Sequence, residues 1–515
     1  MAQRVLPRPR VNQLGRDILR LCGPRLNAGG KRFSSGQQIL PSSTKQPVPL
    51  IIGGTHVQGA VTHPLISPLD GRSVWDYSSA SLEQLNQAIE AATTAFPGWA
   101  ETKPAVRCST LLKAADIFTK RSAELKEYMK IETGADDQFI AFNISATVAQ
   151  LKDIAMRSTT IHGLFPSVDD SGRSAIVLKE PYGVVAGIAP WNAPYILGVR
   201  AASAALATGN TVVLKGSERS PRCYRAIVDV FHEAGLPPGC LNLVFSSPES
   251  AASVTKALIK HPAVRKINFT GSTAIGSKVA SLAGQNLKPV LLELGGKASA
   301  IVFEDANLAK AADACVLGAF LHGGQVCMAT DRILVHSSIV SEFTAKLTES
   351  IKRFYPPHGP SPVLISHLAE EKVEHLVSDA VNKGAVMVSG RDSQLNDKPQ
   401  FPLILGNVSR DMDIFYTETF GPVATLHTFD TEEEALAIAN DTEYGLAGAI
   451  FTEDLAKGLR VGKKYTSGSV HINAMSIHDE PNLPHGGTKS SGFGRFNTEY
   501  GLNEFLRTKV ITWRN

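Results

Sequence analysis

The chain has 515 residues, 43% of them hydrophobic and 19% charged, which suits a folded protein of two or more domains and excludes a disordered or fibrous class. Its net charge of +4 sits unevenly: residues 1–47 carry seven Arg, two Lys and the single acid Asp17, so the body is acidic and no nucleic-acid partner is implied. The six cysteines (Cys22, Cys108, Cys223, Cys240, Cys315, Cys327) form no CxxC pair or Cys/His cluster, which speaks against a disulfide framework or metal site and fits a reducing compartment.

In the first segment Leu14, Ile18 and Leu21 recur at helical spacing with Arg16 and Arg20 off that stripe, and Arg32-Phe33-Ser34-Ser35 follows. Residues 1–47 are read as a mitochondrial (matrix) transit peptide, the alternatives being a disordered basic tail and a cytosolic address. Residues 47–59 read as a strand and hairpin. Ser81 with Gln84 makes a capping box for a helix carrying Leu82, Leu85, Ile89, Ala92 and Phe96 on its core face, stopped at Pro97-Gly98. Helical tracts follow at about 106–134 and 146–157, then a strand at 174–183. The longest uncharged apolar stretch, 184–199, holds two prolines and an Asn and is too short to span a membrane.

From Val184 strands (VVAGIA, TVVLK, NLVF, KINF) alternate with helices, as in an open parallel sheet that binds a nucleotide. The fingerprint GxGxxG is absent. In its place Phe269 to Gly276 follows a strand and opens a helix, where glycines (Gly271, Gly276) and a hydroxyl (Ser272) suit a pyrophosphate. Lys215 and Glu218 follow the strand TVVLK, where a carboxylate can accept hydrogen bonds from a ribose diol. By itself such a pair is also an ordinary surface pair. Asn192 lies in a stiff loop between Pro190 and Pro194; it is either a turn residue or an oxyanion donor.

Glu293 ends an apolar run, before Gly295-Gly296, and Cys327 follows Gly323-Gly324-Gln325. A thiol and a carboxylate on one scaffold make a nucleophile and a base, although a lone Cys is usually a small core residue. Beyond them RILVH (332–336), AVMVSG (385–390) and VATLHTF (423–429) read as strands, and Thr431 with Glu434 as a second capping box.

ELGGK (293–297), GQVC (324–327), PWNAP (190–194), KGSE (215–218), FTGSTAIG (269–276), ETFGPV (418–423) and the GGTKSSGFGR run from Gly486 together resemble the aldehyde dehydrogenase superfamily. The resemblance implies an α/β fold: a Rossmann-like NAD-binding domain (48–160 and 183–292), an α/β catalytic domain (293–495) and a small β oligomerisation arm (161–182 and 496–515). It implies Cys327 as nucleophile, Glu293 as base and Asn192 as oxyanion donor. Lys215 and Glu218 would hold the adenosine ribose, with NAD favoured over NADP because a carboxylate repels a 2′-phosphate. Trp191, Glu418 and Phe420 complete the cofactor site. The closing strand TKVITW would pair with the SAIVLKEP region of a neighbouring subunit, giving a homodimer or homotetramer.

WNAPYILGVR and HDEPNLPHGG look most like the benzaldehyde, vanillin and salicylaldehyde branch, with His485 where a Phe is usual. The same matching makes Ala193, Leu321, Val326 and Met328 walls of an aldehyde tunnel and lets Arg200 receive a substrate oxygen, or else form a salt bridge. Alternatives are an aliphatic or semialdehyde substrate, a CoA-acylating enzyme, against which Glu293 argues, and a non-catalytic protein of the same fold.

Overall fold

Short runs such as VVAGI and the VVL of TVVLK are apolar on both faces, so they need cover on both, and a parallel sheet between helices supplies it. The computed structural model describes residues 46–514 except 171, 357–358 and 390–400. Up to residue 45, the segment read as a transit peptide lies outside the described residues. Two seven-stranded sheets result. The first runs in the spatial order Val290–Glu293, Val264–Thr270, Val184–Ile188, Thr211–Lys215, Leu241–Val244, Leu50–Ile52, Thr55–Val57. Its first five strands are parallel, and the hairpin Leu50–Val57 adds two antiparallel ones. Val184–Ile188 and Thr211–Lys215, in the middle, are buried throughout.

The second sheet runs Val386–Ser389, Leu403–Gly406, Val423–Phe429, Thr330–His336, Ala298–Val302, Ala447–Phe451, Ser469–Ile472, parallel except at its first pair. Residues 294–297 link the edge strand of the first sheet to the centre of the second. Among the described residues no helix is long and apolar enough to cross a membrane.

The helix Leu82–Ala100 opens on the expected box: Gln84 N–H donates to Ser81 Oγ at 3.1 Å and Ser81 N–H to Gln84 Oε1 at 3.0 Å. Leu85, Ile89 and Ala92 are buried, but Leu82 at the helix start is exposed. The helix does not stop at Pro97. Pro97 faces outward, and beyond it Trp99 is buried with its Nε1–H on the Leu206 carbonyl at 3.0 Å, so tertiary packing carries the helix past its breaker. The tract 106–134 is two helices, Pro104–Lys120 and Ser122–Thr133, the second closed by Gly134 at φ 68°. At the second expected box Glu434 N–H donates to Thr431 Oγ1, but the Glu434 carboxylate reaches back one residue further, to Asp430 N–H.

The closing strand Leu506–Arg514 pairs antiparallel with Arg173–Pro181 of the same chain over nine residues. Pairing with a neighbouring subunit is therefore not needed to satisfy that edge, because the two segments already meet within one chain.

Arg332, on a central strand of the second sheet, is fully buried. It donates to the carbonyls of Ile438, Ala439 and Asp441 at 2.9–3.1 Å, at the C-terminal end of the helix Glu432–Asn440, where a cation suits the helix dipole. Arg332→Met would strand three buried acceptors, and we expect unfolding free energy to fall by roughly 3–5 kcal/mol. A urea midpoint moved down at constant m-value checks this.

Candidate active site

Cys327 comes from a loop whose shape is fixed by its own sequence. The helix Leu308–Phe320 ends in a turn in which His322, Gly323 and Gly324 all take positive φ. At Gly324 (φ 74°) a Cβ would lie 2.1 Å from the Gly421 carbonyl oxygen, so only glycine fits. Gln325, fully buried, then pins the loop: its Nε2 donates to the His322 and Val363 carbonyls, each at 3.0 Å, and its Oε1 accepts Ile365 N–H at 2.9 Å. Two residues on, the Cys327 side chain is half-buried.

Glu293 arrives from the other side, at the end of the edge strand Val290–Glu293. The backbone beyond it passes close under the Cys327 loop: a Cβ on Gly296 would stand 2.3 Å from the Cys327 carbonyl oxygen. Cys327 Sγ donates to Glu293 Oε1 at 3.4 Å. Arg200 Nη1 lies 3.3 Å from Glu293 Oε2, and His485 Nε2 lies 3.3 Å from Oε1 without hydrogen-bond alignment.

Burial pushes the Glu293 carboxyl up, but His485 and Arg200 outweigh it and hold it down to about 2. Burial, followed by the Glu293 anion, pushes the Cys327 thiol well above its ordinary value. At rest, then, the proton is on sulfur and the charge on the carboxylate.

Asn192 is buried just ahead of the helix Pro194–Ala207, its Nδ2 donating to the Gln325 carbonyl at 2.9 Å. One N–H of that amide is used, and the other remains for a ligand. Ala193, Leu321, Val326 and Met328 belong to or pack against the apolar cluster that Cys327 also borders.

Arg200 is not open to solvent. Its guanidinium is buried between Glu293 and Asp479, Nη2 donating to Asp479 Oδ2, and it lies 5.3 Å from the centre of the Phe496 ring. A substrate oxygen would have to take up Nε, which has no partner, or displace a carboxylate.

Away from Cys327, Lys215 is buried at the end of its strand. Burial pulls its ammonium down and Glu218 opposes this. Glu218 is part-exposed two residues after Gly216. Ser272 caps the helix Thr273–Gln285 in position but bonds none of its N–H groups, while a Cβ on Gly276 would collide with Leu294 at 2.3 Å. Glu418 Oε1 accepts Gly296 N–H at 2.9 Å, and burial pushes its carboxyl up to about 7. Phe420, at φ 48°, meets Trp191 edge-on with centroids 6.1 Å apart.

Asp479 and the anchoring side chain of Gln325 escaped the reading of the sequence. The signal for Asp479 was an acid six residues before the unexpected His485, in a Pro- and Gly-rich run.

A vanillin dehydrogenase of a Pseudomonas species is 41% identical over 475 residues, 91% of this chain and 98% of that protein. Among solved structures, a salicylaldehyde dehydrogenase from Pseudomonas putida complexed with salicylaldehyde superimposes with TM-score 0.86 at 35% identity, covering 91% of this chain and 98% of the other. A betaine aldehyde dehydrogenase from Staphylococcus aureus in complex with NAD+ does so with TM-score 0.85 at 30% identity, covering 90% and 97%. The model of the aldehyde dehydrogenase family matches residues 56–511, a span that holds the five parallel strands of the first sheet, the whole second sheet and the paired Cys327 and Glu293, and the chain belongs to that family.

Proposed function

We propose that the chain oxidises an aromatic aldehyde to its carboxylic acid with NAD, through a thiohemiacetal and then a thioester on Cys327. The observation that carries this reading is the thiol held 3.4 Å from an ionised, buried carboxylate on a loop that the Asn192 amide also holds. As Cys327 Sγ attacks the aldehyde carbon, Glu293 takes the thiol proton. The oxyanion accepts from the free Asn192 N–H and the Cys327 backbone N–H. Glu293 gives that proton up to solvent, then takes one from the water that attacks the thioester and returns it to the Cys327 sulfur as the C–S bond breaks and the acid leaves.

Bound NAD supplies the acceptor for the hydride. The residues present fit it: the uncapped N–H groups after Ser272 suit a pyrophosphate, Gly271 and Gly276 leave room for Phe269 and Leu294 at that turn, and Lys215 with Glu218 would hold the adenosine ribose. Trp191, Glu418 and Phe420 would border the nicotinamide end. An aromatic substrate is supported by the apolar walls Ala193, Leu321, Val326 and Met328 and by the likeness to vanillin and salicylaldehyde dehydrogenases.

NADH formation with vanillin, salicylaldehyde, benzaldehyde, hexanal and succinate semialdehyde tests this reading. Aromatic aldehydes should turn over fastest, Cys327→Ala should be inactive, and Asn192→Ala should lose about 10²–10³ in kcat; preference for the aliphatic substrates would overturn the substrate assignment. Glu218→Gln should raise the NADP-to-NAD ratio of kcat/KM about ten-fold by removing a like charge from the 2′-phosphate, and an unmoved ratio would take Glu218 out of the ribose site. We further propose self-association through the exposed Leu164, Phe165, Val510, Ile511 and Trp513 around the closing ribbon. Sedimentation should give a dimer or tetramer at micromolar concentration, and a monomer would refute it.

A further inference from the structure

The base stands in a ring with three titratable side chains besides the thiol. Glu293 Oε2 meets Arg200 Nη1 at 3.3 Å; Arg200 Nη2 donates to Asp479 Oδ2; Asp479 Oδ1 stands 4.0 Å from His485 Nδ1; and His485 Nε2 returns to Glu293 Oε1 at 3.3 Å. All four side chains are buried or nearly so. The ring is held from outside. Asn497, in a left-handed conformation at φ 63°, donates to Asp479 Oδ1 at 2.9 Å and to the Glu480 and Leu483 carbonyls. The backbones of His485 and Phe496 exchange hydrogen bonds at 3.1 and 2.7 Å.

Arg and a carboxylate ordinarily join by two parallel bonds. Such a fork on Glu293 would occupy both oxygens and take Oε1 from the thiol. Here Asp479 claims the second arm of the guanidinium, so Arg200 touches Oε2 alone and Oε1 stays on Cys327.

Resting on the reading of Glu293 as the base, we propose that Arg200, Asp479 and His485 are positioning residues. Arg200 and His485 keep Glu293 ionised in its buried place, and Asp479 restrains Arg200 to one oxygen so that the other can work on Cys327 and on water. The other titratable groups packed around this centre are Glu418, across Gly295, and His471 and His478, whose rings lie 4.9 Å apart, His471 being near enough to feel His485 and Asp479. None of these takes part in the ring.

The test is the pH dependence of steady-state kcat for the full chain with a saturating aldehyde. With Arg200 or His485 gone, burial dominates Glu293 and its proton is lost only at higher pH. Arg200→Leu and His485→Phe should therefore move the acid limb up by about one pH unit or more, with Arg200→Lys restoring it in part. Asp479→Asn should act with the opposite sign. It lets Arg200 fork onto Glu293, so kcat falls about ten-fold or more while the acid limb stays as low as in the parent or moves lower.

Profiles that superimpose on the parent in all of these variants, whatever their rates, would overturn the proposal and leave the ring a purely structural one. If Arg200→Leu does not fold, His485→Phe and Asp479→Asn carry the test between them. Glu293→Gln separates the two levels: full turnover in that variant would sink the reading of Glu293 as base, whereas its loss together with unshifted limbs in the ring variants would sink only the positioning role.

Discussion

A carboxylate taken out of water beside a thiol has two ways to lower its energy: it can pick up a proton, or it can find cations. Glu293 finds a cation in Arg200, with His485 beside its other oxygen, and everything else at the centre follows from that choice. Because the carboxylate keeps its charge, the thiol keeps its proton, and the nucleophile rests in a form that does not react with passing electrophiles. Activation is then a short transfer along a contact that already exists, made when a carbonyl carbon arrives to receive the sulfur.

The fold serves this pairing by bringing two sheets to one point. Glu293 is the last residue of an edge strand in the first sheet, and Cys327 stands three residues before a central strand of the second. Gly295 and Gly296 join them because side chains there would strike the Glu418 carboxylate and the Cys327 carbonyl. Gln325 fastens the nucleophile's loop from below with three hydrogen bonds, and Asn192 fastens it from the side.

Much of this was legible because it depends on local chemistry. Positive φ and close backbone approach demand glycine, so Gly324, Gly295 and Gly296 announce themselves, and strands covered on both faces read as unbroken apolar runs. What was not legible is long-range. Asp479 meets Arg200 across 279 residues, and no spacing rule reaches that far; the sequence left Arg200 open between a substrate contact and a salt bridge, and could not name the carboxylates it meets. The helix that continues through Pro97 likewise depends on Trp99 finding the Leu206 carbonyl, and the pairing of the closing strand within its own chain on a register set by nine residues far upstream.

The four-residue link between the sheets has a consequence for motion. Glu293 stands on the first sheet and Cys327 just before a strand of the second, and the link between Glu293 and Ala298 spans about 14 Å at full stretch. A displacement of one sheet against the other would lengthen or shorten the proton's path and would also load the Asn192–Gln325 hydrogen bond that ties the Cys327 loop to the first half. The catalytic contact is in this sense a gauge of how closely the two sheets are shut.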